Sequence, residues 1–214
     1  MNWDKLLLLI EEINTFHLNF SINFFSELDS RMNLKKKQVR HVLDEEKNIL
    51  KDFLSYIENY SIALNEEIAI NEFGYDYSNW DFRVRVKQQE SIQNKLKYYF
   101  DDRENGKIAL QKCLNDILGY RIVLNNFLEY ESEFENKLDE RNLNIRKFNH
   151  NDASETYHAY HIYFKNDNNQ YFPWELQIWD ITKAEENEKS HREHKDKREY
   201  LNWAKDYQGD LEKG

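Results

Sequence analysis

The chain has 214 residues and a formal net charge of −10 at pH 7, so it is long enough for one domain with a sizeable core. The acidic balance argues against DNA binding and against broad, nonspecific coating of nucleic acid, but it is compatible with a local basic patch. With five Gly and one Pro, no flexible linker is expected. The single Cys113 excludes an internal disulfide, favours a reducing compartment and is expected to be a small buried side chain.

Two long helices are predicted at the N-terminus, because apolar residues recur at three- and four-residue spacing over 2–28 and again over 31–58. Asp29 and Ser30 interrupt this pattern and are suited to cap the second helix. More helix is expected to about residue 71, followed by a loop over Gly74 to Asn79.

Three segments are predicted: a helical extension over 1–71 packed on the core, a core domain over 72–208, and a frayed tail over 209–214. The apolar run at residues 6–10 has only five residues, which is too short for a membrane span or a signal sequence. A cytoplasmic protein without a membrane partner is therefore expected.

The core domain should alternate strands and helices. In chain order the pattern predicts a strand over 82–86, helices over 90–99 and 107–114, a strand over 120–124, a helix over 127–141, strands over 144–148, 157–165 and 170–179, and a polar helix over 182–207. The turn at 166–169 joins the last two strands into a hairpin. This order predicts an α+β fold with a mixed central β-sheet flanked by helices.

Cations follow one face of the first predicted strand, where Arg83, Arg85 and Lys87 alternate with apolar residues. A solvated sheet edge would also favour such charges. Ser91 and Lys95 lie four residues apart on one face of the next helix, near an N-terminus that attracts anions. Together these residues favour a pocket for phosphate groups.

Two carboxylates occur beside later strands. Asp116 precedes a strand, as a turn residue or as a Mg²⁺ ligand, with Gly119 allowing a turn or a close approach and Arg121 following. Glu175 and Gln177 share one face of the last strand. If these strands are neighbours, Asp116 and Glu175 can share one Mg²⁺, and Glu175 can also deprotonate an attacking hydroxyl.

Aromatic residues line one face of the strand that precedes the hairpin turn. Tyr157, Ala159, His161 and Tyr163 alternate there, which is typical of a cross-strand aromatic ladder and equally of a platform on which a base stacks.

In this order the motifs resemble the synthetase domain of the RelA/SpoT homologue family, of the small alarmone synthetase type, over about residues 82–196. Those enzymes transfer the β,γ-pyrophosphate of ATP to a ribose 3′-hydroxyl. The resemblance implies a nucleotidyltransferase-like synthetase domain with ATP as donor and Mg²⁺ as cofactor. Because neither a hydrolase motif before it nor a regulatory tail after it is apparent, a synthesis-only member is expected.

The resemblance also implies roles for individual residues. The family's R-x-K and S-I-x-x-K motifs, which bind ATP, are Arg85, Lys87, Ser91 and Lys95. Asp116 is the implied metal ligand, followed by Arg121. Glu175 is the implied metal ligand or base, with Gln177 as its supporting amide. Tyr157 is the residue that would stack on the acceptor base, with His161 in the same motif.

The chain departs from the family where GDP or GTP phosphates are usually held. Asp152 and Glu155 lie where alarmone synthetases carry cations, Thr156 replaces a glycine, and Trp179 replaces an arginine. These differences favour the 3′ CCA end of tRNA as acceptor, as in the toxic small members that block translation, and imply an antitoxin partner. GDP or GTP is the alternative acceptor. A non-catalytic nucleotide or RNA sensor is a second alternative, which the retained carboxylates and cations disfavour.

Two basic clusters can hold tRNA or can be solvated helix faces. The first consists of Arg31, Lys35, Lys36, Lys37, Arg40 and His41, of which the tRNA-binding set is Lys35, Lys36, Lys37 and Arg40. The second consists of Lys189, His191, Arg192, His194, Lys195, Lys197 and Arg198, with acidic residues interleaved. His191 and His194 are spaced for one helix face, but further zinc ligands are not evident.

Overall fold

The computed structural model describes residues 2–28, 31–71, 74–102, 104–150 and 157–193. The helices are α1 (Trp3–Ser26), α2 (Lys51–Ile70), α3 (Gln89–Asp102), α4 (Leu110–Cys113), α5 (Glu131–Glu140) and α6 (184–193). The strands are β1 (Arg83–Val86), β2 (Leu118–Leu124), β3 (Ile145–His150), β4 (Ala159–Phe164) and β5 (Trp174–Asp180). The prediction of an α+β fold with a mixed sheet is confirmed.

The five strands form one sheet in the order β1-β2-β5-β4-β3. β2 and β5 run parallel at its centre, and the other three pairings are antiparallel. The predicted neighbourhood of the strands that carry Arg121 and Glu175 is therefore confirmed, and the hairpin prediction is confirmed for β4 and β5.

One face of the sheet is apolar and packs on the helices. Tyr120, Leu176 and Ile162 occupy neighbouring positions on this face and are almost fully buried. Trp174 lies at the same face and donates a hydrogen bond from Nε1 to the Tyr60 hydroxyl of α2 at 2.9 Å, while Phe20 of α1 packs on its ring at 5.6 Å. The core thus covers one side of the sheet and leaves the other side for polar residues.

The other face, called the polar face below, follows from the strand registers. It carries Arg83 and Arg85 of β1, Gly119 and Arg121 of β2, Glu175 and Gln177 of β5, His161 and Tyr163 of β4, and Arg146 and Phe148 of β3. Since side chains alternate along a strand, each of these positions is flanked by residues of the apolar face.

The predicted helix over 31–58 is wrong for residues 31–50, and α2 begins only at Lys51. The backbone of this stretch is bonded to distant parts of the chain: Val39 donates to the carbonyl of Ile108 at 3.0 Å, and Leu34 donates to that of Asn169 at 2.7 Å. A left-handed residue, Lys47 at φ 64°, closes a turn that ends the local pattern. The spacing of apolar residues alone does not distinguish a buried irregular segment of this kind from the apolar face of a helix.

Smaller differences concern element ends. The predicted helix over 107–114 is limited to α4, because Ala109 pairs with Gln38 in an isolated bridge. Within the predicted loop, Tyr75–Trp80 forms a 3₁₀ turn, and the return strand of the hairpin starts at Trp174. Asp29, Ser30 and the predicted helix beyond residue 193 lie outside the described residues.

Cys113 is buried, as predicted. Across the part of the chain that the structure describes, none of the helices combines the length and apolarity that crossing a membrane requires.

A buried histidine ties α1 to the turn of the β4–β5 hairpin. His17 donates from Nε2 to the carbonyl of Phe172 at 3.0 Å and accepts at Nδ1 from the amide of Asn166 at 2.7 Å. Burial lowers the pKa of His17 to about 4, and the hydrogen bond to the Phe172 carbonyl only partly opposes this effect. The imidazole is therefore neutral in the folded chain at neutral pH.

Stability is expected to fall as His17 becomes protonated. Because folding lowers the pKa of His17, the folded state is fully stabilised only above the unfolded pKa of about 6.5. The free energy of unfolding then decreases by roughly 1.4 kcal/mol per pH unit as the pH falls to about 4. Urea unfolding of wild type and His17→Gln at about pH 7 and about pH 5 measures this. The glutamine keeps a donor for Phe172 and does not titrate, so equal pH dependence of the two proteins would contradict the assignment.

Candidate active site

The predicted anion pocket is built around Asp116, which ends the turn between α4 and β2. Lys87 contacts its Oδ2 at 2.7 Å and Lys95 contacts its Oδ1 at 2.9 Å, while Lys95 also donates to the side-chain oxygen of Asn115 at 3.2 Å. The two lysine side chains are only 15% and 9% exposed, so three charges share one largely water-excluded cluster. Asp116 thus lies directly among the residues predicted to bind phosphate.

Burial and charge oppose one another in this cluster. Burial alone would raise the pKa of Asp116, but the ammonium groups of Lys95 and Lys87 outweigh it and hold that pKa well below its usual range. Burial lowers the pKa of Lys87, and Asp116 opposes that effect. Burial would also lower the pKa of Lys95, but the charge of Asp116 outweighs burial there, so the pKa of Lys95 is raised. The arrangement keeps a carboxylate and two adjacent cations in place.

Arg85 and Ser91 lie beside this cluster. Arg85 is exposed on β1, forms no ion pair with any described residue, and lies near enough to Lys87 to lower its pKa. Ser91 is half-buried in the first turn of α3, the helix that supplies Lys95. The four residues of the predicted ATP site therefore come together around one end of α3 and β1.

Gly119 leaves open space in the middle of the polar face. It pairs with Arg85 on one side and with Glu175 on the other. A Cβ built at Gly119 would meet no atom within 4 Å. Gly119 lies within β2 and has no left-handed φ, so of the two expected roles the turn is wrong. The glycine keeps a depression between a cation and a carboxylate.

Glu175 is held by two neighbours on the polar face. His161 Nδ1 lies 2.8 Å from its Oε1, and the Gln177 amide donates to its Oε2 at 2.8 Å. Burial would raise its pKa, but the hydrogen bonds from His161 and Gln177 outweigh it, so the pKa of Glu175 is lowered although Asp116 acts in the opposite direction. The buried carboxylate is therefore ionised, and it is close enough to Asp116 to be influenced by its charge.

The donor set fits Mg²⁺ only in combination with a substrate. Magnesium is typically bound by one or two carboxylates, and substrate phosphates and water complete its octahedron. Asp116 and Glu175 supply two such carboxylates. Within the described residues, no group of three or more His, Cys, Asp and Glu side chains is arranged to hold a metal.

Tyr157 lies at the start of β4 beside the Glu175 cluster. Its hydroxyl is 3.3 Å from His161 Nε2 and 3.3 Å from the side-chain oxygen of Gln177. Its ring packs at 5.1 Å on His191 of α6 and edge-on at 6.2 Å against Trp179. The predicted acceptor residues Tyr157 and His161 are thus brought to Glu175.

Arg121 is tied to α6, an arrangement that the motifs did not predict. Its guanidinium lies 4.2 Å from the centre of the Trp179 ring and pairs with Glu188 at 2.9 Å, and Glu188 also pairs with Arg83 at 3.2 Å. A cavity of about 650 Å³ opens beside these residues. Glu188 could not be singled out from the sequence, because it is one of many charged residues on a polar helix.

The first basic cluster packs beside α4, where the Lys37 carbonyl accepts from the Leu110 N–H at 2.8 Å. Lys35, Lys36 and Arg40 are exposed, Lys37 is half-buried, and the stretch packs near Phe100 and Gly106 at the far end of α3. Of the second cluster, residues from His194 onward lie outside the described residues, as does the acidic segment Asp152 to Glu155.

Lys95→Met tests the charge cluster. Loss of one ammonium is expected to raise the pKa of Asp116. It should also lower the free energy of unfolding by about 1.5–3 kcal/mol near neutral pH. The lowered pKa of Asp116 stabilises the folded state above the unfolded pKa of about 3.8, and this stabilisation is lost as the pH falls. The difference in unfolding free energy between wild type and Lys95→Met should therefore shrink below about pH 4. Urea unfolding at several pH values measures it.

Lys147→Met is the matched control, since Lys147 pairs with Asp139, whose side chain is 68% exposed, away from the site. It should cost less than about 1 kcal/mol. A Lys95→Met deficit that does not change with pH would contradict the assignment.

No family model matches this chain, and no curated protein matches it. Among solved structures, it is similar to the small alarmone synthetase 1 from Bacillus subtilis, with 18% identity, a TM-score of 0.38, and coverage of 71% of this chain and 79% of that one. The same synthetase bound to AMPCPP gives 17% identity, a TM-score of 0.33, and coverage of 69% and 75%.

Proposed function

We propose that this chain is a pyrophosphokinase that transfers the β,γ-pyrophosphate of ATP to a ribose 3′-hydroxyl. One observation supports it above all: Asp116, flanked by two ammonium groups, lies close enough to the buried Glu175 carboxylate to act on its pKa, and the open space at Gly119 adjoins Glu175. A site for a neutral ligand would not need these buried charges, since each is costly unless it is paired or used.

The donor side of this site consists of Arg85, Lys87, Ser91 and Lys95. Exposed Arg85 is available for a direct charge-assisted contact with a phosphate, and the two lysines provide point charges that are already ordered. Mg²⁺ would be held by Asp116 and Glu175, and when bound it neutralises phosphate charge. Such positioning and neutralisation provide most of the catalysis in phosphoryl-type transfer.

The acceptor side consists of Glu175, Gln177, Tyr157 and His161. The acceptor 3′-oxygen forms a bond to the β-phosphorus, the bond from that phosphorus to the α,β-bridging oxygen breaks, and AMP leaves with the electron pair. Glu175 accepts the hydroxyl proton, as the catalytic-loop carboxylate of protein kinases does. Gln177 and His161 hold the carboxylate in position, and Tyr157 contacts the acceptor base.

Asp116→Asn and Glu175→Gln are each expected to reduce transfer by at least about a hundredfold, because each removes a charge on which the reaction depends and keeps the shape of the side chain. Transfer of ³²P from γ-labelled ATP to an acceptor measures this. Asp139→Asn, at an exposed ion pair away from the site, is the control and should keep normal activity. Near-normal activity of either site variant would show that the metal and base assignments are wrong, whereas ATP binding without any transfer by wild type would favour a non-catalytic module.

For the acceptor we propose the 3′ CCA end of tRNA, which would make the chain a translation-inhibiting toxin of the cytoplasm with a neutralising antitoxin partner. Support comes from the exposed side chains of Lys35, Lys36 and Arg40 beside the far end of α3, and from the acidic sequence before Tyr157. Exposed cations of this kind can hold a polynucleotide through its phosphate backbone.

Replacing Lys35, Lys36, Lys37 and Arg40 with Glu is expected to abolish labelling of tRNA, and tRNA binding by wild type should weaken as salt rises. Lys97, Lys107 and Lys112, changed to Glu together, serve as a control for the added negative charge. Efficient labelling of GDP or GTP by wild type, with none of tRNA, would overturn the tRNA assignment and favour the alarmone-synthetase alternative.

A further inference from the structure

Asn187 is a completely buried polar residue of α6, next to Glu188. Its side-chain oxygen accepts from the N–H of His158 at 2.8 Å, and its amide group donates to the carbonyl of the same residue at 2.7 Å. One side chain thus pairs with both backbone groups of His158, as a residue of a neighbouring strand does in a hydrogen-bonded antiparallel pair. These two bonds fix the position of His158 relative to α6.

His158 lies just before the ladder between β4 and β5. The pairing of these strands runs from Tyr160, opposite Ile178, to Phe164, so Asn187 provides partners for a residue two positions before that pairing. Tyr157, which is proposed to contact the acceptor base, directly precedes His158. The bonds from Asn187 therefore hold the backbone from which the Tyr157 side chain projects.

A second residue of α6 contacts the Tyr157 ring itself. His191 follows Asn187 by four residues, so both side chains lie on the same face of the helix. The centre of the His191 ring is 5.1 Å from that of Tyr157. One face of α6 thus holds the backbone beside Tyr157 and packs on its ring.

α6 is in turn fixed to the sheet at two places. At its start, the carboxylate of Asp180 accepts from the N–H of Thr182 at 2.9 Å and from its hydroxyl at 2.6 Å, which sets the turn between β5 and α6. Further along, Glu188 pairs with Arg83 of β1 and with Arg121 of β2. Because α6 is anchored to three strands, it provides a fixed reference for the segment that precedes β4.

We propose that Asn187 is a positioning residue for the acceptor: it holds Tyr157 so that a base in contact with the tyrosine ring places its ribose 3′-hydroxyl at Glu175. This inference rests on the proposed function, since it concerns the acceptor residue of that site. Asn187 acts through the backbone of His158. Its loss is therefore expected to impair use of the acceptor and to leave ATP binding intact.

Asn187→Leu removes both hydrogen bonds and nearly keeps the size of the side chain. The KM for the acceptor should rise by about tenfold or more while the KM for ATP changes by less than about twofold, because a small misplacement of a binding group weakens the contacts it makes. Transfer of ³²P from γ-labelled ATP to tRNA and to GDP, measured separately, gives these constants. A variant that merely folds less well would lower the rate at saturation and leave both KM values unchanged.

Asn187→Asp is the conservative variant, since a carboxyl oxygen can still accept from the His158 N–H. It should raise the KM for the acceptor less than Asn187→Leu does, and it decides the question if Asn187→Leu does not fold, because a rise confined to the acceptor is expected for it as well. Tyr60→Phe is the matched control. It removes the buried hydrogen bond to Trp174 on the apolar face and should leave both KM values as in wild type.

Amide hydrogen exchange tests the same contact without chemistry. The His158 N–H should exchange at least about tenfold faster in Asn187→Leu than in wild type, whereas Leu176 of β5 should keep its rate. Unchanged exchange at His158, an unchanged KM for the acceptor, or an equal rise of both KM values would overturn the proposal. If wild type labels neither tRNA nor GDP while the exchange at His158 responds as expected, the proposed reaction fails and the positioning of Tyr157 by Asn187 stands.

Discussion

The parallel pairing of β2 with β5 is the constraint on which the site depends. Its register sets Gly119 opposite Glu175 and Arg121 opposite Gln177. A slip of one residue would turn Glu175 into the apolar core, because side chains alternate between faces. The core residues of the same strands, such as Leu176, prevent this slip by being buried completely. Packing and site geometry are thus enforced by the same two strands.

The charges around Asp116 hold one another in place. Lys87 and Lys95 donate to one carboxylate, which leaves an excess of one positive charge in a nearly buried cluster. Ordered cations need little reorganisation when an anion binds, and this is the usual source of electrostatic catalysis. Asp116 also lessens the cost of keeping two ammonium groups largely out of water.

Most of the sheet was predictable because its strands alternate strictly, as in β1, or carry β-branched residues, as in β2. The site was predictable as far as its motifs lie at strand and helix ends, since the topology then brings Asp116, Lys95 and Glu175 together. The conformation of residues 31–50 was not predictable. The buried residues Leu34, Val39 and Val42 have the spacing of an apolar helix face, but backbone N–H groups of this stretch donate to carbonyls that are distant in the sequence. The pairing of Glu188 with Arg121 depends on how α6 docks on the sheet, which local spacing does not encode.

The open space at Gly119 separates the stability of this fold from its chemistry. A Cβ at Gly119 would meet no atom within 4 Å, and the backbone there has no left-handed φ. Glycine is itself a poor strand former. An alanine at this position would therefore add a methyl group to the depression between Arg85 and Glu175 without a clash of its Cβ, while the core and the charges around Asp116 stay in place. The size of this depression can thus change without a change in the fold.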